Sequence, residues 1–136
     1  LGTPEVRGAW EGGGWALVEA ASPQDVEAAA PDRALVMALG GHVVLVADDA
    51  SERRSGYDSV CRTFVPAAGI DEDPVTGSAH CAIGPWLAER TGRRTFRCLQ
   101  ASARRGEMDV EVAADRVTLT GHAVAVHRGE LLAVAR

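Results

Sequence analysis

At 136 residues the chain has room for one domain, burying roughly two-thirds of the surface of its unfolded form. Hydrophobic content of 46% with 24% charged residues excludes a disordered chain, and the apolar runs are too short to cross a bilayer. A formal net charge of −5 argues against nucleic acid as a partner. All 14 basic residues are arginine. With the abundant Ala, Val and Gly, that reads as a GC-rich coding bias rather than a function, and the pairs Arg53-Arg54, Arg93-Arg94 and Arg104-Arg105 read as solvated turns.

Residues 1–13 are Gly-rich and polar and read as a loose lead-in, with no signal peptide visible at the start. Trp15 to Glu19 alternates like a strand. Ser22-Pro23 predicts a short helix to about Ala30, serine capping and proline at the first position. Asp32 to Leu39 predicts another turn of helix. His42 to Ala47 is a short apolar, β-branched run and predicts a largely buried strand. Asp48 to Gly56 is a charged surface loop, and Tyr57 to Val65 returns as a strand. A helix follows from Ser78 to about Thr91, stopped by Gly92 and bent at Pro85. The remainder reads as β: Thr95 to Ala101, Glu107 to Val112, Arg116 to Thr120, Ala123 to Arg128 and a last strand from Leu131. Met108, Val110 and Val112 against Asp109 and Glu111 form a period-two pattern, and Gly106, Gly121 and Gly129 punctuate the turns. One apolar helix among many short strands predicts an α+β domain, a curved sheet wrapped around a central helix.

Cys61, Cys81 and Cys98 have neither Cys-x-x-Cys nor metal-site spacing, which points to a reducing, cytoplasmic setting and to no metal. His122 and His127 are five apart on a predicted strand and so face opposite ways.

The chemistry concentrates in Asp71-Glu72-Asp73-Pro74-Val75-Thr76-Gly77-Ser78-Ala79-His80-Cys81. Pro74 fixes its own φ and pushes Asp73 towards an extended conformation. Thr76, Gly77 and Ser78 are residue types that open helices, and the first N–H groups of the helix they open have no partner within it. Such an end attracts an anion, most simply a substrate carboxylate or phosphate. Asp73 is then either a turn or capping aspartate or a group that exchanges a proton with the bound molecule. Asp71 and Glu72 read as residues that solvate the loop. A thiol near a helix N-terminus can become reactive, but His80 and Cys81 fall where the helix must pack and are expected in the core, Cys81 as a small hydrophobe.

Asp73 to Ala82, preceded by Phe64-Val-Pro-Ala-Ala-Gly-Ile70, resembles the second-half signature of the phenazine-biosynthesis PhzF-like isomerases and epimerases. Trp86 to Arg90, Gln100 to Arg104 and Gly129-Glu130-Leu131 continue the resemblance, which spans most of the chain from about Val43. It implies the diaminopimelate-epimerase-like fold, one lobe of two, with the active site between lobes and no cofactor. It also implies that Asp73 is catalytic, assisting proton transfer, and that Thr76, Gly77 and Ser78 bind a small carboxylate substrate. The catalytic glutamate and Gly-His-Pro motif of the family's first lobe have no counterpart in residues 1–136.

Three readings follow. The chain is half of a cofactor-independent isomerase or epimerase, completed by a separately encoded N-terminal lobe or by a second copy in a homodimer. Alternatively it is a non-catalytic binding or accessory protein of a biosynthetic pathway. Or it is a piece of a longer isomerase, an option that the leading Leu1 in place of methionine leaves open. A lone lobe also exposes the apolar face its sister covers, which predicts a dimer.

Overall fold

The computed structural model of the chain describes residues 5–50 and 55–130. Among them lie eight strands: Val6–Gly12 (β1), Trp15–Ala20 (β2), Val43–Asp48 (β3), Ser59–Phe64 (β4), Glu72–Asp73 (β5), Thr95–Gln100 (β6), Gly106–Val112 (β7) and Val117–Thr120 (β8). Three α-helices, Pro23–Ala28 (α1), Arg33–Ala38 (α2) and Gly77–Thr91 (α3), complete the fold. The strands form one mixed sheet in the order β1-β2-β3-β4-β6-β7-β8, with β5 added to β4. β2–β3 and β4–β6 are parallel, and each pair is joined by a helical crossover, as parallel neighbours require. The other pairs are antiparallel.

The period of two explains the layers. Val43, Leu45 and Ala47 of β3 pack with Val26, Ala29 and Val36 of the α1–α2 region on one face. Val44 and Val46, pointing the other way, pack with Ala79, Ile83 and Leu87 of α3. A strand covered on both sides reads as a continuous apolar run, which is why 43–47 does. Helix α3 touches β2 and β3 on one side and β7 and β8 on the other, so the sheet curves around it. Gly84 permits the approach to β7: a Cβ there would lie 2.7 Å from Val110 Cγ1 and 3.1 Å from Val112 Cγ2. The helix runs unbroken through Pro85, which is exposed, and ends at Gly92 with φ 71°, its N–H on Ala88 O at 2.9 Å. Ser22 and Asp32 cap the shorter helices, accepting from Asp25 N and Ala34 N.

Three expectations are corrected. Residues 6–12 are not a loose lead-in but an edge strand, β1, paired with β2 through a two-residue turn. Gly13 and Gly14, at φ 60° and 81°, supply the positive dihedrals that such a hairpin turn demands. Residues 123–128 form no strand: β8 ends at Thr120, 121–130 have no ladder partner, and Val124 and Val126 are 85% and 92% exposed. Cys81 is exposed, because it projects from the outer face of α3 while His80, one residue earlier, is buried. The strand expected from Leu131 and the Arg53-Arg54 pair lie outside the described residues. Among the described residues no helix is long and apolar enough to cross a membrane.

Candidate active site

Asp73 closes β5, opposite Thr63 of β4, and therefore stands on the α3 side of the sheet. Glu72 pairs with Phe64 and stands on the other side, where Arg62 holds both its oxygens at 2.8 Å. The alternation of two residues thus separates the acids: Asp73 faces the start of α3, and Glu72 is committed to an ion pair. Asp71 is exposed and bonded to Arg33. The sequence grouped the three carboxylates, and the structure brings only Asp73 to the site.

Between Asp73 and α3 the chain turns through Pro74, Val75 and Thr76. Thr76 is the N-cap of α3 by backbone position (φ −120°, ψ 102°), yet its side chain caps nothing. Its hydroxyl donates instead to Asp73 Oδ2. The N–H groups of Gly77, Ser78 and Ala79 therefore begin the helix with no capping side chain accepting from them among the described residues. The arrangement puts a half-buried carboxylate near the helix-start N–H groups of Gly77 and Ser78, while Ala79 is fully buried. An anion docked on those donors would lie beside a group able to exchange protons with it. Of the four expected site residues, Asp73, Thr76, Gly77 and Ser78 all line this turn, Ser78 exposed and Gly77 half-buried.

Residues that sequence reading left out hold the turn. Gln100, at the end of β6 and wholly buried, accepts from Thr76 N at 2.8 Å and donates to Asp73 O at 2.6 Å and Thr76 Oγ1 at 3.2 Å. Ser102 Oγ donates to Pro74 O at 2.9 Å. Gly106 lets the turn sit on β7, since a Cβ there would fall 2.0 Å from Val75 Cγ2. The available signal was the Gln100-Ala101-Ser102 run, which sequence similarity marks but whose partners only the folded turn reveals.

His80 is buried beneath the turn. Its Nδ1 lies 2.8 Å from Thr76 O, an acceptor only, so Nδ1 carries the hydrogen and Nε2 faces Cys61 Sγ at 3.9 Å. Burial lowers the His80 pKa from its ordinary 6.5, against the pull of the bond to Thr76 O. Burial likewise raises the Cys61 thiol well above its usual range and, in β6, pushes Cys98 up to about 12. Both thiols are buried and inert, whereas Cys81 is exposed. Near pH 6.5 the unfolded chain begins to protonate this imidazole, whereas the native ring does so only at lower pH. Between the two values the unfolded state binds more protons, so stability falls as pH falls. His80→Asn, which cannot titrate, is expected to remove that part of the slope, at most about 1.4 kcal/mol per pH unit, in urea unfolding measured from pH 7 to 5.

An open groove of about 510 Å³ runs along the other end of α3, lined by Pro85, Ala88, Gly92, Val112 and Val117. It lacks the buried polar framework that surrounds Asp73.

Fold and site together define a single lobe of the diaminopimelate-epimerase-like class, a curved mixed sheet around one helix whose uncapped start faces an aspartate. The profile described as "Phenazine biosynthesis-like protein" matches residues 4–129, and the chain belongs to that family. An uncharacterized isomerase of Halalkalibacterium halodurans is 39% identical over 116 residues, 85% of this chain and 43% of that protein. An uncharacterized isomerase of Pseudomonas aeruginosa is 41% identical over 115 residues, again 85% of this chain and 42% of that protein. The crystal structure of a PhzF-family phenazine biosynthesis protein from Enterococcus faecalis superposes with a TM-score of 0.74 at 30% identity, covering 88% of this chain and 46% of that one. The chain thus spans less than half the length of the relatives it matches.

Proposed function

We propose that the chain is one lobe of an isomerase that moves a proton on a small carboxylic acid, without a cofactor. The carrying observation is the Asp73 carboxylate set beside the uncapped start of α3, where Thr76 gives its hydroxyl to Asp73 and leaves the helix donors to a ligand. The substrate carboxylate would sit on the N–H groups of Gly77 and Ser78, with Thr76 fixing the carboxylate that transfers the proton. The isomerase names of two relatives support the reaction class.

A second acid–base group is supplied by a complementary N-terminal lobe or a second copy of the chain. Two observations favour assembly. Ile70 and Val75, at the rim of the site, are 48% and 41% exposed, apolar surface of the kind a partner covers. The 123–128 segment, expected as a strand, pairs with no strand among the described residues. The alternative, a binding or accessory protein that keeps the anion site without turnover, shares the first step and lacks the second.

Titration of the isotope-labelled chain with acetate tests the site. The amide resonances of Gly77, Ser78 and Ala79 are expected to move together and saturably, and Ser78→Pro, which deletes one donor, to weaken the response. Shifts confined to surface arginines, with 77–79 unmoved, would remove the carboxylate site from this turn.

A further inference from the structure

We propose that Gln100 is a positioning residue for Asp73, and that it dedicates Asp73 Oδ2 to a fixed hydrogen bond so that Oδ1 carries the transferred proton. The inference rests on the proposed role of Asp73 and deepens it.

Gln100 is wholly buried and its amide is used at both ends. The backbone fixes which end is which. Asp73 O can only accept and Thr76 N–H can only donate, so Nε2 lies at Asp73 O (2.6 Å) and Oε1 at Thr76 N (2.8 Å). The nitrogen so assigned is also 3.2 Å from Thr76 Oγ1, and an amide nitrogen donates. Thr76 Oγ1 accepts there, and its own hydrogen is left for Asp73 Oδ2. Each link has one permitted direction: Gln100 Nε2–H to Thr76 Oγ1, then Thr76 Oγ1–H to Asp73 Oδ2. With Oδ2 engaged by a donor, the proton exchanged with substrate belongs on Oδ1.

Two backbone bonds from Gln100 would suffice to hold the turn. The third contact does something different, since it draws the Thr76 hydroxyl away from capping α3 and into the carboxylate. One side chain thereby does two jobs, orienting the acid and leaving the helix donors uncapped. His80 Nδ1–H on Thr76 O and Ser102 Oγ–H on Pro74 O brace the same turn from its two flanks. A carboxylate held in one rotamer before substrate arrives is spared reorientation in the reaction, an effect worth about ten- to a hundredfold in rate.

The test compares Gln100→Met, Thr76→Val and Thr76→Ser with the unmodified chain. By NMR, the Thr76 hydroxyl proton is expected as a resolved resonance with a cross-peak to Asp73, retained by the serine hydroxyl in Thr76→Ser. Gln100→Met is expected to lose it to solvent exchange while the amides of α3 beyond Ala82 stay in place. In the chain joined to its complementary lobe, Gln100→Met and Thr76→Val should each lower kcat for solvent-deuterium exchange about ten- to a hundredfold. KM should be unchanged, the double variant should be no worse than either single one, and Thr76→Ser should keep the rate. If the hydroxyl signal survives Gln100→Met, or kcat does, the inference is overturned and the role of Asp73 stands. If instead the signal behaves as expected but Asp73→Asn leaves exchange untouched, the proposed role of Asp73 fails and the inference goes with it. Should Gln100→Met not fold, Thr76→Val against Thr76→Ser decides alone, because the valine keeps the shape and removes only the hydroxyl.

Discussion

Asp73→Asn is expected to cut solvent-deuterium incorporation into a carboxylic acid substrate by about 10²–10⁴-fold in the two-lobe enzyme, the usual contribution of a general acid–base group. On the half-enzyme proposal the same substitution should change almost nothing in the isolated chain, because the second group of the pair would come from the complementary lobe or second copy. Asparagine retains the shape and can still meet the Thr76 hydroxyl through Oδ1, so the loss would report the proton and not the fold. Rapid exchange by the chain alone would place a second base within these residues. The structure narrows that suspect: Glu72 is turned to the opposite face and held by Arg62 at 2.8 Å, whereas Cys81 is exposed one turn into α3. Exchange by the lone chain that survives Asp73→Asn and disappears in Cys81→Ser would replace the half-enzyme reading with a thiol mechanism.

What could be read in the sequence is what repeats or punctuates. The apolar run 42–47, the alternation 108–112, the Ser22 cap and the Gly92 stop each declare local structure through periodicity or a backbone requirement, and each stands as expected. The lead-in failed for an instructive reason: three consecutive glycines suggest slackness, yet two of them meet the dihedral demand of a tight hairpin. Residues 123–128 failed in the opposite sense. Alternation marks a segment able to be a strand, but 121–130 pairs with none of the described strands, although β1 and β8 each end the sheet with an open edge. At the site, the turn residues were legible because proline, glycine and hydroxyl side chains announce a helix start. Gln100, 24 positions from Thr76, was not, since a buried amide earns its role only from the partners that folding brings to it. Cys81 was misjudged because 15 helical residues of weak apolar contrast do not say which face is inward.

The packing of α3 on β7 supplies the other large effect, and two adjacent positions probe it, one by removing volume and the other by adding it. Ile83 is fully buried against the sheet, so Ile83→Ala removes atoms and leaves a cavity, at about 2–5 kcal/mol. Gly84 faces β7, and in Gly84→Val the new Cβ meets Val110 Cγ1 at 2.7 Å and Val112 Cγ2 at 3.1 Å. Both neighbours are β-branched and stiff in χ1, so the helix has to move. Overpacking of this kind costs about 1–3 kcal/mol, only slightly offset by the poorer helix propensity of glycine. Either loss is a large part of the roughly 5–15 kcal/mol that holds a domain together. Urea unfolding should therefore show two destabilised proteins, and the amide spectrum should separate them. Ile83→Ala leaves the helix where it is, and the resonances of Gly77, Ser78 and Ala79 should stay near their native positions. Gly84→Val lifts α3 from β7, and because Gly77 sits close to Leu119 of β8, with a built Cβ only 3.4 Å from its Cδ1, the helix start should shift as well. Acetate binding would then weaken in Gly84→Val well beyond its loss of stability. A Gly84→Val protein as stable as its parent, with 77–79 unmoved, would mean that the helix does not rest on β7 as described and that the site owes its shape to the turn alone.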